Sequence, residues 1–462
     1  MDNLEFKGTP IHNLIVLPFD VKDILQRIIL KGYKALVVGG CIRDSLLGKQ
    51  SKDWDIATNC DFDVLKELFS DCNPKEIGSH FGVLQVTINS ISYEIAKFRT
   101  DNKSSDNRHP DSVEFVNDFK EDASRRDFTI NAMGYDGVEL FDYFDGLDDL
   151  DKGLIKFVGN STQRIREDAL RMLRAIRFAT VNSFILEADT GRAIKENFNL
   201  INNISNERIK DELNKIILSD NVKYGLELLR VSRLIEIVLP KLYECVDFDQ
   251  NNPYHDKNVY EHIIEVISNT KPILVNRLAA LFHDIGKPKC FTVDENLVGH
   301  FYGHEKVSSE IARSIMMRLK YDNKTIDSVC KIVENHMNKS QLKSKSAIKR
   351  LINRVGIENL EGLLDVMRAD ILGSKPPFDF TSFNEFNKNI INILQNNEPT
   401  KVSHLAINGH DVMAFGFKGK EVGEILGKFM DMVIESPELN NRENLLLCLK
   451  TLTKGGIKWN IN

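Results

Sequence analysis

Two hydrophobic periodicities divide this chain. Up to about residue 135, short apolar runs of strand length alternate with helical patterns. Ala35-Leu36-Val37-Val38 reads as a buried strand ending at Gly39-Gly40. Residues 83–88 (Val-Leu-Gln-Val-Thr-Ile) and 93–96 (Tyr-Glu-Ile-Ala) read as the two arms of a hairpin that turns near Asn89-Ser90. Beyond about residue 160 strand signals nearly vanish. Apolar positions recur every three or four residues through 164–180, 207–218, 223–238, 259–282, 304–319 and 325–337, which predicts helices. A polar stretch at 247–253 and the break Ser374-Lys375-Pro376-Pro377 mark boundaries near 250 and 375. No repeat of fixed period and no low-complexity segment occurs. The expected class is α+β: a mixed α/β head with a small sheet over 1–135, then an all-helical neck (136–250), body (251–375) and tail (376–462).

Composition narrows the setting. At 462 residues the chain exceeds one ordinary core, which implies roughly two to four domains. Seven cysteines are scattered without a CxxC pair, so they read as reduced thiols of a cytoplasmic protein, not as a disulfide framework. The N-terminal stretch carries acidic residues and no long apolar run, against a signal peptide. Nowhere is there an apolar run long enough to span a membrane, so no membrane partner is expected. The pattern specifies no number of subunits. A net charge of −6 means that any nucleic-acid surface must be a local basic patch on an acidic whole.

The densest chemistry lies in VVGGCIRDSLLGKQSKDWDIAT, residues 37–58. A strand runs into Gly39-Gly40 and a helical pattern (Ile42, Leu46, Leu47) follows at once. Paired glycines let backbone approach a triphosphate, and the helix start presents free N–H groups to it. Arg43 can add a bidentate phosphate contact. Asp53-Trp54-Asp55 is expected on a strand, where alternation would converge the two carboxylates and turn Trp54 away. Two such carboxylates suit a pair of Mg2+ ions, one activating an attacking hydroxyl and one steadying a leaving pyrophosphate. An isolated DxD is usually a solvated turn, and a lone GG only a turn. Their order and spacing, strand–GG–helix–DxD, favours the functional reading.

With three further segments, the chain resembles the class II branch of the polymerase β-like superfamily, the CCA-adding tRNA nucleotidyltransferases and bacterial poly(A) polymerases. Residues 125–132 resemble the RRDFTINA motif, residues 167–178 the EDxLRxxRxxRF helix, and Glu207-Arg208-Ile209 with Glu212 the ERIxxE motif. The resemblance implies a nucleotidyltransferase head with catalytic, Mg2+-holding Asp53 and Asp55. It also implies nucleotide contacts from Gly40, Arg43, Arg126, Arg174 and Arg177. Asp168 and Arg171, three apart, are expected on one face of a helix, where they would read a base. Cytosine and adenine both place an exocyclic amine beside an unprotonated ring nitrogen. A carboxylate and a guanidinium would admit both and reject uracil and guanine. The bland alternative is a surface Asp–Arg pair. The family's flexible loop is matched by Arg99-Thr100-Asp101-Asn102 and Asp106-Asn107-Arg108-His109-Pro110, with Asn102 replacing a glycine and His109 an arginine. Enzymes adding only CC tend to lack it, so its presence points to full CCA addition from CTP and ATP onto tRNA.

A second constellation follows. His262, then His283-Asp284-Ile285-Gly286-Lys287-Pro288, then Asp370 resemble the HD superfamily of metal-dependent phosphohydrolases. The resemblance implies His262, His283, Asp284 and Asp370 as ligands from separate helices of a bundle, with His304 and His336 placed where two-metal members supply more. Imidazole and carboxylate suit Mn, Ni, Co or Fe more than Mg. Lys287 is a candidate phosphate contact, and phosphoesters at RNA ends are the implied substrates. Isolated histidines are ordinarily core or surface residues, and here it is their order with the paired His283-Asp284 that carries the resemblance.

Residues 403–450 resemble the tail of CCA-adding enzymes, with a helix starting near Lys420 beside Gly416, Lys418 and Gly419. Those lysines suit a tRNA phosphate as well as they suit solvent. Three alternatives share parts of this pattern. A bacterial poly(A) polymerase would carry a basic C-terminal extension and no HD motif, unlike this chain. Enzymes adding only A or only CC share the same core. An HD phosphohydrolase with a non-catalytic head has no need of intact Asp53 and Asp55.

Overall fold

The computed structural model describes residues 5–6, 9–10, 14–51, 53–77, 82–101, 113–251, 256–339 and 344–454. The chain divides into two compact units, Met1–Pro240 and Lys241–Asn462. The first is built on a seven-stranded mixed sheet. Its strands in chain order are β1 (Ala35–Val38), β2 (Asp55–Thr58), β3 (Lys75–Ile77), β4 (Val83–Ile88), β5 (Ile91–Lys97), β6 (Gly134–Tyr135) and β7 (Leu140–Phe141), arranged β7-β6-β1-β2-β5-β4-β3. The expected hairpin is β4–β5. Asn89 and Ser90 both take positive φ (49° and 66°), as a tight hairpin turn demands.

β1 is buried at every position, and it pairs antiparallel with β2 so that Val38 lies opposite Asp55. Asp53 and Trp54 therefore precede the strand instead of belonging to it. The reason is β1 itself: at Gly39 (φ 82°) the backbone turns off the sheet, and Trp54 and Asp53 are left without a partner on that side. Helix α1 (Gly40–Leu46) starts directly after that turn.

The motif helix expected over 164–180 is two helices, α2 (Ser161–Glu167) and α3 (Arg171–Asn182). Asp168 sits in the break in an extended conformation (φ −148°, ψ 104°), and its carboxylate accepts the Leu170 N–H. That bond to the backbone two residues on is a local turn that competes with continuing the first helix. α3 packs against α4 (Asn206–Ile217), and Ile209, Leu213, Ile216 and Ile217 of α4 are buried. The predicted 223–238 helix is likewise interrupted between Val231 and Ile235, with Arg233 at φ 66°. Leu154–Ile155 pairs in parallel with Ile185–Leu186, a short strand pair the periodicity did not announce.

Among its described residues the second unit is helical, apart from a small pair formed by Thr292–Val293 and Gly299–His300. Its bundle contains α5 (Val259–Ser268), α6 (Leu274–Phe282), α7 (His304–Arg318), α8 (Asn323–Asn335) and α9 (Leu360–Gly373). The predicted 259–282 helix is broken between Ser268 and Leu274, where Pro272 can supply no helical N–H. A helix starts at Lys420 as expected, and its buried face (Ile425, Leu426, Phe429, Met430, Val433) joins Leu405, Ile407 and Val412 in a tail core. Residues 102–112 of the loop lie outside the described residues, while Arg99–Asp101 and Val113–Phe115 pair on either side of it. Among the described residues no helix is long and apolar enough to cross a membrane.

Candidate active site and candidate metal centre

The Val38↔Asp55 register brings the acidic segment beside the glycine turn. Gly39 adopts φ 82° and ψ −135°, which side chains disfavour, and a Cβ there would lie 3.2 Å from Arg126 Nη1. A Cβ on Gly40 would stand 3.4 Å from Arg43 Nη2. Asp53 and Asp55 are both exposed. Loss of bulk water around Asp55 raises its carboxyl pKa and the nearby Asp53 charge adds to the rise, while Arg126 opposes it.

Gly39, Gly40 and Asp55 open onto a cleft of about 450 Å3. Its walls carry seven guanidinium groups, from Arg43, Arg125, Arg126, Arg171, Arg174, Arg177 and Arg208, against three carboxylates, Asp55, Asp127 and Asp168. Here is the local positive field that the net charge of −6 concealed. Every nucleotide contact expected from the sequence, Gly40, Arg43, Arg126, Asp168, Arg171, Arg174 and Arg177, lines this cleft. So does Asp55, whereas Asp53 stands outside its lining.

Each arginine is held from behind. Arg43 is buried and donates to Asn131 Oδ1 (2.5 Å) and to Asp44 Oδ1 (2.7 and 2.9 Å). Arg125 and Arg126 share the buried Asp122, at 2.7 and 3.0 Å. Burial alone would raise the Asp122 pKa, and those two guanidinium groups hold it below the carboxylate range instead. Arg174 meets Asp127 through Nε (2.8 Å) and Nη2 (2.5 Å). Asp127 also accepts from Asn131 and its pKa falls to about 2, against the burial that would raise it. Arg177 Nε donates to Glu212, itself only 4% exposed.

The pair expected to read a base differs from its expected arrangement. Asp168 and Arg171 do not share a helix, yet both reach the cleft. Arg171 donates to Glu167 (2.8 Å) and to the carbonyls of Arg164 and Arg125. Asp168 is engaged by Arg208 Nη2 at 2.8 Å. Arg208 and Glu212 fall within the ERIxxE-like segment, whose pattern alone assigns them no part. Their partners lie 40 and 35 residues away, across α3 and α4, beyond any local pattern.

In the second unit the metal-ligand candidates converge. His262 comes from α5, His283 and Asp284 follow the end of α6, His304 starts α7, His336 follows α8, and Asp370 lies on α9. All six are buried. His262 Nε2 lies 3.1 Å from Asp370 and 3.3 Å from Asp284, while His283 Nε2 lies 3.3 Å from Asp284 and 3.2 Å from His262 Nε2. On the far side of the same carboxylate, His304 Nε2 and His336 Nε2 lie 3.1 and 3.6 Å from Asp284 Oδ1.

The Nδ1 atoms face backbone carbonyls: Gly373 for His262 (3.3 Å), and Ala280, Phe301 and Val333 for His283, His304 and His336 (2.7 Å each). An Nδ1–H bonded to a carbonyl leaves the Nε2 lone pair pointing inward. Lone pairs then face each other, or face carboxylate oxygens, in a buried site, and Nε2 of His304 and of His336 has no hydrogen-bond partner. A donor set of this kind fits a cation. Lys287 Nζ reaches Asp284 Oδ2 (2.6 Å) and Gln250 (2.8 Å). A cavity of about 330 Å3 adjoins Asp284, Lys287, His304 and Asp370, with the exposed Tyr302 at its rim.

Known proteins give these segments their relatives. Residues 35–156 match the poly A polymerase head domain, residues 183–245 the probable RNA and SrmB-binding site of polymerase A, and residues 259–373 the HD domain. The CCA-adding enzyme of Limosilactobacillus reuteri is 44% identical over 208 residues, which is 45% of this chain and 51% of that one. The CCA-adding enzyme of Lactobacillus gasseri is 47% identical over 195 residues, covering 42% and 48%. The chain thus spans about half the length of the curated relatives it matches. The crystal structure of Bacillus stearothermophilus CCA-adding enzyme in complex with CTP superposes with a TM-score of 0.70 at 26% identity. It covers 95% of this chain and 98% of its own. The chain therefore carries, in that order, segments similar to a poly A polymerase head, to the probable RNA-binding site of polymerase A and to an HD domain.

Proposed function

We propose that this chain adds CCA to the 3′ end of tRNA from CTP and ATP without a nucleic-acid template. In this reading residues 1–135 are the catalytic head, 136–250 the base-reading and RNA-binding neck, 251–375 the HD domain and 376–462 a tail that touches tRNA. The observation that carries it is the arginine-lined cleft, which holds Asp55, the glycine turn and the Asp168–Arg171 pair together. Exposed carboxylates sharing one electrostatic neighbourhood are hard oxygen donors of the kind Mg2+ takes, which supports Asp53 and Asp55 as its ligands. Mg2+ held by Asp53 and Asp55 would supply activation of the 3′-hydroxyl and charge relief for pyrophosphate. Gly39 and Gly40 admit the triphosphate, and Arg43, Arg126, Arg174 and Arg177 bind it. Asp168 keeps lone-pair capacity beyond its bonds to Leu170 and Arg208, enough for the exocyclic amine of C or A. The relatives' identity as CCA-adding enzymes supports the same substrate pair and the same RNA. The test supplies tRNA lacking its last three nucleotides with labelled CTP and ATP. Ordered addition of C, C and A is expected, and a long A tail would replace this reading with a poly(A) polymerase.

The orphaned imidazole nitrogens favour a second activity. We infer that the HD domain binds a transition metal (Mn, Ni, Co or Fe) and hydrolyses phosphoesters at RNA ends. Asp284 offers Oδ2 toward His262 and His283, beside which Asp370 stands, and Oδ1 toward His304 and His336, a donor set for two ions. Ions held there would supply Lewis acidity for hydrolysis, and Lys287 stands where it can hold a phosphoryl oxygen. Metal analysis of the purified chain, with hydrolysis of a 2′,3′-cyclic phosphate at an RNA end, checks it. A chain that takes up no transition metal would rule it out.

A further inference from the structure

The arginine cluster of the cleft surrounds a single aromatic ring. The guanidinium carbons of Arg177, Arg43 and Arg174 lie 3.7, 4.6 and 5.5 Å from the Phe178 centroid. Phe178 is 5% exposed and lines the same cleft. Each of the three arginines has a carboxylate on another side: Glu212, Asp44 and Asp127 respectively. The ring is itself braced. Phe128 meets it nearly perpendicular (78°, 5.6 Å), and Phe157 stacks on Phe128 at 5.0 Å and 22°. Phe128 and Phe157 are fully buried, so the stack runs from the cleft wall into the core.

Three like charges converging on one ring repel each other. The negative face of an aromatic ring offsets part of that repulsion, and more so where water is excluded. Arginine side chains also carry large rotamer entropy, which a ligand must remove unless the protein has already done so. We propose that Phe178 is a positioning residue: its ring gathers Arg43, Arg174 and Arg177 into a preformed triphosphate seat. The proposal rests on the nucleotide-binding reading of the cleft. It assigns Phe178 an electrostatic part that an aliphatic side chain of similar size cannot fill. Base choice belongs to Asp168 and Arg171, so Phe178 sets triphosphate affinity and leaves selectivity alone.

The test replaces Phe178 with mono-, di- and trifluorophenylalanine in the full chain, which preserves the ring's shape while draining its negative face. Affinity for CTP and ATP is read by calorimetry, alongside KM, kcat and thermal midpoint. The expected result is a stepwise loss, about tenfold in Kd across the series for both triphosphates, with KM following, kcat and C/A selectivity held and the thermal midpoint slightly lowered. Phe178→Leu should lose at least as much affinity and Phe178→Trp should recover most of it. A flat Kd along the fluorinated series overturns the proposal whatever the leucine variant does. If the natural chain binds no triphosphate, the reading of the cleft falls with it. If it binds triphosphate with an unchanged series, only the part given to Phe178 falls.

Discussion

Asp127→Asn tests how the cleft is held together. Asp127 is 9% exposed, and its two oxygens serve different partners: Oδ2 takes both Arg174 bonds, and Oδ1 takes Asn131 and the Phe128 N–H. Burial pushes its pKa up, but Arg174 and Asn131 outweigh that and bring it from 3.8 to about 2. At about 1.4 kcal/mol per pH unit, the shift corresponds to roughly 2.5 kcal/mol of folding stability near neutral pH. The native pKa lies below the unfolded one. The contribution is therefore complete above the unfolded value of 3.8 and is lost as pH falls through about 2. Asparagine keeps the shape and loses the charge, so urea unfolding at pH 7 should show the variant about 2–3 kcal/mol less stable. Below pH 4 the gap should close steadily. A variant equal to the natural chain at pH 7, or a gap constant from pH 6 down to pH 3, would refute this account of Arg174's anchorage.

The other predictions follow the same geometry. Asp168→Ala should relax discrimination against UTP and GTP by about 100-fold while triphosphate affinity falls far less, and Arg208→Ala should move selectivity the same way to a smaller extent. Misincorporation measured with each single triphosphate decides it. Gly39→Ala forces a side chain into a positive-φ position beside Arg126, at a cost of about 1–3 kcal/mol. Thermal melting and KM for both triphosphates should worsen together, and an unchanged KM would count against the glycine turn as the triphosphate seat. His304→Ala and His336→Ala should each lower transition-metal content from about two ions per chain to about one, as read by elemental analysis. His283→Ala should strip metal yet leave CCA addition intact, and loss of addition would mean that the two chemistries had been divided wrongly.

What could be read from the sequence was what local chemistry decides. β1 is a continuous apolar run before two glycines, and the β4–β5 hairpin announces itself through alternation around Asn89-Ser90. Where a strand begins depends on its partner. Asp53 looked like part of β2, but β1 has already turned away at Gly39. The parallel pairing of β2 with β5 joins residues about 40 apart and leaves no trace in spacing. Helix breaks were missed for two reasons. Asp168 bonds the backbone two residues on in a turn, a choice that periodicity does not register, and Pro272 sits inside an otherwise persuasive apolar pattern. For the sites, residue types within motifs picked out side chains that the fold brings to one cleft and histidines that it gathers into one buried cluster. The groups that hold them, Glu212 behind Arg177, Arg208 on Asp168 and Phe178 between three arginines, emerge only when helices pack.

The central claim is that one cleft chooses C and A and stops after three additions. Incubating tRNA that lacks its terminal CCA with all four ribonucleoside triphosphates and Mg2+, then sequencing the 3′ ends, tests this most directly. The account predicts molecules ending in CCA, with U and G absent and no extension beyond the terminal A, and no product at all from Asp55→Ala. Incorporated U or G, a growing A tail, or undiminished addition by the Asp55 variant would contradict it.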